Sequence, residues 1–289
     1  MEIKFWGTRG SIPVPGQKTV KYGGNTPCIQ VTDSDGKFVI IDAGTGIREL
    51  GKSIIKSDSV KQLDLLISHT HWDHIQGLPF FTPLYSNDYT VNIYSYPKKD
   101  IPADEIIQAQ WHPVFFPVKK DVLKAQINLK NIVEKESRSF GNLKVETIAV
   151  HHSFGTLAFK ISEGKSSLIY MTDNEIYFNE KSDTPDVDSV ETKNRELIEF
   201  CHGVDYLIHD AMYSLKDYKL KKGWGHSNNL SLMHFSMLAE VKNLVLFHYE
   251  PEYSDEMIEK LLNETKKMFL ERSSRINCIA AKELMEIKF

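Results

Sequence analysis

Short apolar blocks and polar–apolar alternation recur along the chain, and they predict strands. EIKFW (Glu2–Trp6), CIQVT (Cys28–Thr32), KFVIID (Lys37–Asp42) and LDLLIS (Leu63–Ser68) are the first four, mostly bounded by Gly or Asp. Between the last two, Ile47, Leu50, Ile54 and Ile55 recur at helical spacing within GTGIRELGKSIIK. The middle is less patterned. DIPADEIIQAQ reads as a short helix with Pro102 at its start, followed by the turn HPVFFPV and a polar, lysine-rich run. The second half repeats the theme with KVETIAV, TLAFKIS, SLIYMTD and VDYLIHD as strands. NNLSLMHFSMLAEV is amphipathic through Leu230, Met233, Met237, Leu238 and Val241, and NLVLFH reads as a buried strand. Ser254 with Asp255 and Glu256 opens a last helix carrying Ile258, Leu261, Leu262 and Met268. The acidic run over 180–191 reads as a surface loop rather than a linker. Strands followed by helices, twice over and without a boundary, predict one α/β domain over residues 1–289, built of two similar halves.

One stretch breaks the pattern. In SHTHWDH, three histidines and an aspartate crowd six positions directly after a predicted strand. Unpaired imidazoles and carboxylates are costly at such density unless something binds between them. His69 and His71 stand two apart, so in an extended segment both rings project to one side and reach one ion. Asp73 and His74, if the chain turns there, face a second ion about 3.5–4 Å away. Four groups do not complete two coordination shells. His152, Asp173 and His248 each stand at the end of a strand-like run and are the candidates to supply the rest.

Composition narrows the setting. A 41% hydrophobic share supplies a large core, and a formal net charge of -4 gives no general attraction to nucleic acid or to an anionic membrane. The start, MEIKFWGTRG, has neither a basic segment nor an apolar one, so no secretory leader is expected. No apolar stretch approaches the roughly 20 residues that span a bilayer. Cys28, Cys201 and Cys278 are too scattered for a disulfide framework or a thiolate metal site. A cytoplasmic location is expected.

The run His69-Thr70-His71-Trp72-Asp73-His74, with later His152, Asp173 and His248, resembles the metallo-β-lactamase superfamily. The likeness continues in order through FWGTRGSIP, GGNTPC, IDAGTG, YMTDNE, LIHDAMY, GWGHS, LFHYEP and AAKELMEI, along nearly the whole chain. Within the superfamily it is similar to the branch of ribonuclease Z and the related cyclic phosphodiesterases. That resemblance implies an αββα sandwich holding two divalent ions, Zn2+ first, with Mn2+ or Fe2+ also suited to mixed histidine and carboxylate ligands. By it, His69, His71 and His152 bind the first ion, Asp73, His74 and His248 the second, and Asp173 bridges. His152 is preferred to His151 because the family's ligand lies five residues before a hydrophobic position, here in Leu157-Ala158-Phe159. The implied chemistry is hydrolysis by a metal-activated water, with Asp73 both ligating and orienting it. Protonating the departing alkoxide falls to His226 in GWGHS, and Asp210 in IHDAMY fixes its tautomer. In ribonuclease Z a glutamate stands where Asp210 does.

Other residues carry plainer alternatives. Asp42 is expected to hold a ligating histidine through its far nitrogen. Ser11 and Asn25 either bring turn amides to the site or only form turns. Lys216, Lys219, Lys221 and Lys222 attract an anionic substrate or, as such runs more often do, form a solvated face. Trp111, Phe115 and Phe116 pack the core, line the pocket or form a subunit contact.

On substrate, the oxygen-reducing branch uses glutamate where His71 stands, and lactamases commonly carry cysteine where Asp173 stands. Both are disfavoured. Ribonuclease Z carries a long basic arm for tRNA that has no counterpart here. The expected partner is therefore a small or cyclic phosphodiester rather than an extended nucleic acid, with a homodimer as an open possibility. The alternatives are a ribonuclease Z-like tRNA 3′ endonuclease, a thioester hydrolase of the glyoxalase II type, and a metal-bound binding protein without turnover.

Overall fold

Alternate residues within the strands face opposite layers, and in the central strands both layers are apolar. In the strand Asn243–Phe247, Val245 and Phe247 enter a cluster between two sheets, while Leu244 and Leu246 enter one beneath helices. In Ser166–Met171, Leu168 and Tyr170 take the first course, Ile169 and Met171 the second. A strand buried on both faces lies in the middle of a layered structure. The computed structural model describes residues 1–57, 59–97, 103–114, 116–118, 120–179, 182 and 184–289.

The first half supplies β1 (Glu2–Gly7), β2 (Cys28–Thr32), β3 (Phe38–Ile41), β4 (Gln62–Leu66), β5 (Thr90–Ser95) and β6 (Gln126–Asn131). The second supplies β7 (Ser137–Phe140), β8 (Leu143–Ala149), β9 (Leu157–Glu163), β10 (Ser166–Met171), β11 (Tyr206–Asp210), β12 (Asn243–Phe247) and β13 (Asn277–Ala280). A last strand, β14 (Glu286–Lys288), returns to the first sheet and pairs with β1. Two seven-stranded sheets result, ordered β14-β1-β2-β3-β4-β5-β6 and β13-β12-β11-β10-β9-β8-β7. In each, the last four strands toward one edge run parallel: β3 to β6, and β10 to β13.

The helices are α1 (Ile47–Ser57), α2 (Trp72–Ile75), α3 (Ala103–Gln108), α4 (Val187–Lys193), α5 (Arg195–Cys201), α6 (Leu215–Tyr218), α7 (Asn229–Leu238) and α8 (Asp255–Glu271). Ile47, Leu50 and Ile54 of α1 cover the outer face of the first sheet. Leu232, Met233 and Phe235 of α7, with Ile258 and Leu261 of α8, cover the second. Ser254 caps α8 as the sequence leads one to expect, accepting from the Met257 amide. The layers are helix, sheet, sheet, helix, the αββα sandwich expected from the resemblance.

Five strands, β5, β6, β7, β13 and β14, are absent from the sequence expectation. β6, β7, β13 and β14 are sheet edges, where half-exposed polar residues weaken the apolar signal. β5 is interrupted by Asn92, buried because its side chain donates to Asp64 (2.8 Å) and accepts from Asn128 (2.9 Å). Trp111 is buried in the core under the first sheet, and the half-buried Phe116 packs against that cluster, so of the three Trp111 is a core residue. Phe115 and Pro102 lie outside the described residues, as do Glu180, Lys181 and Asp183 of the acidic run. Among the described residues, no helix is long and apolar enough to cross a membrane.

Candidate metal centre

The C-terminal ends of the parallel strands point the same way, and open α/β sheets place their ligands there. Asp42 follows β3, His69 and His71 follow β4, Asp173 follows β10, Asp210 ends β11 and His248 follows β12. Asp42, Asp173 and His248 adopt left-handed backbone conformations, with φ of 62°, 54° and 54°. Non-glycine residues adopt that conformation at a cost, and here it turns three side chains at strand ends toward one point. His71 sits at the N-cap of the single-turn helix α2, which itself carries Asp73 and His74. The turn expected between the His69–His71 pair and the Asp73–His74 pair is this helix.

Two groups of ligand-type atoms converge. His69, His71, His152 and Asp173 form one, and Asp73, His74, Asp173 and His248 the other, each with its atoms within 4.8 Å of one another. Asp173 belongs to both and divides its oxygens between them. Its Oδ1 lies 3.7 Å from His69 Nε2 and 3.7 Å from His152 Nε2, while its Oδ2 lies 3.2 Å from His74 Nε2 and 3.3 Å from His248 Nε2. All seven residues expected to bind metal are thus gathered in the expected grouping.

The donor set fits cations. His69 Nε2 is buried with no hydrogen-bond partner, facing Asp173 across a gap too long for a hydrogen bond. Two donors each about 2.0–2.2 Å from a common ion stand roughly this far apart. His152 Nε2 and His71 Nδ1 meet at 3.1 Å. Burial and crowding favour the ligating forms at His69, His71 and Asp173, whereas at His74 burial is outweighed by the neighbouring Asp73, Asp173 and Asp42, which raise the imidazole well above its usual range. Burial, then the neighbouring His152, push His71 down to about 4, and burial with His74 pushes His69 well below the usual imidazole range. Burial raises the Asp173 carboxyl, but His248, His74 and His69 outweigh it and hold it well below its usual range. Neutral imidazoles and ionised carboxylates are what a divalent ion binds.

Around these groups stands a supporting shell. Asp42 accepts from His74 Nδ1 (2.8 Å), the Ser68 amide (2.7 Å), the Ser68 hydroxyl (2.8 Å) and the Tyr170 hydroxyl (2.7 Å). That is the contact expected of it, and it leaves His74 Nε2 for the centre. The Ser11 amide donates to Asp73 Oδ2 at 2.8 Å, so this turn does reach the site. Asn25 does not; its side chain donates to Glu283 and accepts from Thr45. His152 Nδ1 donates to the Gly225 carbonyl at 3.0 Å, whereas the His151 ring turns away and stacks on Tyr177.

His226 is buried beside both groups but belongs to neither, its Nδ1 3.9 Å from Asp173 Oδ1. Asp210 Oδ2 approaches that nitrogen at 3.5 Å without forming a hydrogen bond. The Asp210 carboxylate is instead held by the Ser227 and Asn174 amides, at 3.0 and 3.1 Å. The expected pair is therefore adjacent but not joined. Burial lowers the His226 imidazole, yet Asp210, Asp173 and Asp73 outweigh it and the net direction is upward.

Glu175 is the residue the sequence reading missed. It is buried, and its carboxylate accepts from the Tyr218 hydroxyl (2.6 Å) and the amides of Gly223 (2.8 Å) and Gly225 (2.9 Å). It thereby fixes the loop that carries Gly225 and His226. A carboxylate two positions after Asp173, with two glycines just before His226, was the available signal. Of the lysines in that loop, Lys221 pairs with Glu250 at 2.7 Å.

A family model described as "Beta-lactamase superfamily domain" matches residues 37–249. The ribonuclease Z of Picrophilus torridus is 26% identical, over 93% of this chain and 91% of its own. That of Archaeoglobus fulgidus is 25% identical, over 99% of this chain and 97% of its own. Among solved structures, the metallo-beta-lactamase fold protein YhfI from Bacillus subtilis superposes with a TM-score of 0.70 at 15% identity, over 99% of both chains. The chain belongs to the beta-lactamase superfamily, as a metal-dependent hydrolase, and is similar to the ribonuclease Z proteins within it.

Proposed function

We propose that the protein hydrolyses phosphodiester bonds in RNA at a dinuclear centre, as a ribonuclease Z-like endonuclease. The observation that carries the chemistry is the division of Asp173 between two histidine groups. Its two oxygens serve a pair of cations better than a single one. In this reading His69, His71 and His152 would hold one ion and Asp73, His74 and His248 the other, with Asp173 a member of both groups. Zn2+ is the proposed metal, with Mn2+ or Fe2+ as alternatives that the same donors accept. Such a pair supplies an activated water and neutralises charge on the phosphoryl oxygens. Asp73, fixed by the Ser11 amide, orients the nucleophile. His226, close to the centre but outside both ligand groups, gives a proton to the departing oxygen.

The choice of RNA reverses the order expected from sequence, where a small or cyclic phosphodiester stood first and an extended nucleic acid was set aside. Two relatives aligned over 93% and 99% of the chain carry the name ribonuclease Z, and they outweigh an argument from overall charge. The formal net charge of -4 still favours the small diester as the second reading. The deciding experiment compares kcat/KM of the Zn-loaded protein on a 3′-extended tRNA, a cyclic nucleotide and bis(p-nitrophenyl) phosphate, with Asp173→Ala as control. Preference for the tRNA supports the first reading, and preference for the cyclic nucleotide the second. Turnover of none of the three by protein holding two metals overturns both.

A further inference from the structure

We propose that the cavity beside His152 is a nucleotide subsite, taking one nucleobase and its phosphate next to the reacting centre. This rests on the phosphodiester reading above. The cavity has a volume of ≈ 480 Å³ and is lined by His151, His152, Glu175, Tyr177, Lys193 and Lys222, among others. That size lies within the range of small-molecule sites. His152 is shared between the cavity and the centre, since its Nε2 meets His71 at 3.1 Å while its ring lines the cavity wall. A group seated here therefore lies against one of the proposed metal ligands.

The walls have the chemistry of a base-binding site. The Tyr177 ring lies flat on His151, with centroids 4.1 Å apart and planes 10° from parallel. Tyr177 nevertheless remains 44% exposed, so the stack ends in a ring open to solvent. A planar base continues such a stack, whichever base it is. Lys193 and Lys222 line the same space together with the Glu175 carboxylate; Lys222 Nζ donates to the Ser182 carbonyl at 3.3 Å and lies 4.8 Å over the Phe178 ring. Flat aromatic surface beside ammonium groups matches a base bearing a phosphate and matches a bare phosphate poorly. A larger cavity of ≈ 610 Å³ along α8 lacks this character. It is lined by Asp255, Glu256, Glu259 and Glu264, with lysines interspersed, and touches no member of the metal centre.

The test is calorimetric titration of the full-length, Zn-loaded protein with adenosine 5′-monophosphate and, separately, ribose 5-phosphate. The two share a sugar phosphate and differ in the base. One base–aromatic stack predicts that the nucleotide binds about tenfold more tightly. Tyr177→Ala brings the ratio close to one, and Tyr177→Phe, which keeps the ring, retains it. The Tyr177 side chain is partly exposed, and its backbone is held on both sides by Asn194, the amide donating to Oδ1 and the carbonyl accepting from Nδ2, so the truncation leaves the fold intact. Equal binding of the two ligands, no binding of either, or a ratio that survives Tyr177→Ala overturns the subsite. Hydrolysis of bis(p-nitrophenyl) phosphate by the wild-type protein reads the reaction independently. Turnover without the tenfold ratio removes only the subsite, and the ratio without turnover removes only the reaction.

Discussion

Glu175→Gln isolates the loop anchor from the metal ligands. The carboxylate accepts from Tyr218 and Gly223 through Oε1 and from Gly225 through Oε2. Glutamine has nearly the same shape but only one accepting oxygen. Placing its amide nitrogen at Oε2 breaks the Gly225 hydrogen bond, and the opposite orientation breaks the Gly223 one, since the Tyr218 hydroxyl can turn and accept; the first orientation is the one that reaches the centre. The Gly225 amide then faces another donor in a buried site, at a cost of about 1–3 kcal/mol. That cost falls at the point where the Gly225 carbonyl holds His152 and where His226 begins. If about 2 kcal/mol of positioning is lost in the transition state, kcat/KM falls roughly 30-fold. The assay is kcat/KM on bis(p-nitrophenyl) phosphate, with metal content and urea midpoint measured on the same preparation. Two metals should remain bound, because no ligand is removed. A variant with lowered urea stability but kcat/KM within about twofold of wild type would falsify the reasoning, since Glu175 would then only stabilise the fold.

Three further outcomes follow from single contacts. Gly225 has φ 84°, and a Cβ there would lie 2.1 Å from His152 Nδ1, so Gly225→Ala should displace that ligand and lower metal content, read by elemental analysis after dialysis. Burial pushes the thiols of Cys28 and Cys201 up and that of Cys278 up to about 12, so a disulfide-exchange reagent should label none in the native protein and three per chain in denaturant. Fast labelling of one thiol under native conditions contradicts that burial. Burial raises the Asp210 carboxyl, but His209 and then His226 outweigh it and hold it below the usual range. A carboxyl depressed in the folded state adds stability that is present above the unfolded pKa of about 3.9 and lost as pH falls toward the folded one. The urea midpoint of Asp210→Asn should accordingly fall less steeply than that of wild type between pH 5 and 3, and parallel slopes would count against it.

What could be read from sequence was whatever repeats at a fixed spacing or crowds into one segment. β1 to β4, β8 to β12, α1, α7 and α8 announced themselves by apolar period, and the HxHxDH run by its density. β5 did not, because Asn92 is satisfied by Asp64 and Asn128, partners close only once the sheet has formed, and the edge strands did not because half-exposed polar residues weaken their apolar signal. Glu175 escaped for a related reason: its value lies in accepting from amides 48 and 50 residues away. Its place two positions after Asp173 was the only local hint, and that does not name the amides it accepts from.

The same distinction explains why the proposed metal centre lies where it does. The sheets are held by apolar side chains on both faces, and that packing tolerates unfavourable backbone just beyond a strand. Asp42, Asp173 and His248 all use it, leaving β3, β10 and β12 in left-handed conformations that direct their side chains to one point. Asp42 then holds His74, so the strain at one strand end orients a ligand supplied by another segment. Gly10 shows how closely the chain fits there, since a Cβ would lie 2.5 Å from the His248 ring. Strain of this kind is affordable only where the neighbouring strands are already fixed. The ligand positions are therefore a property of the finished sandwich, with only the His69–His74 run encoded locally.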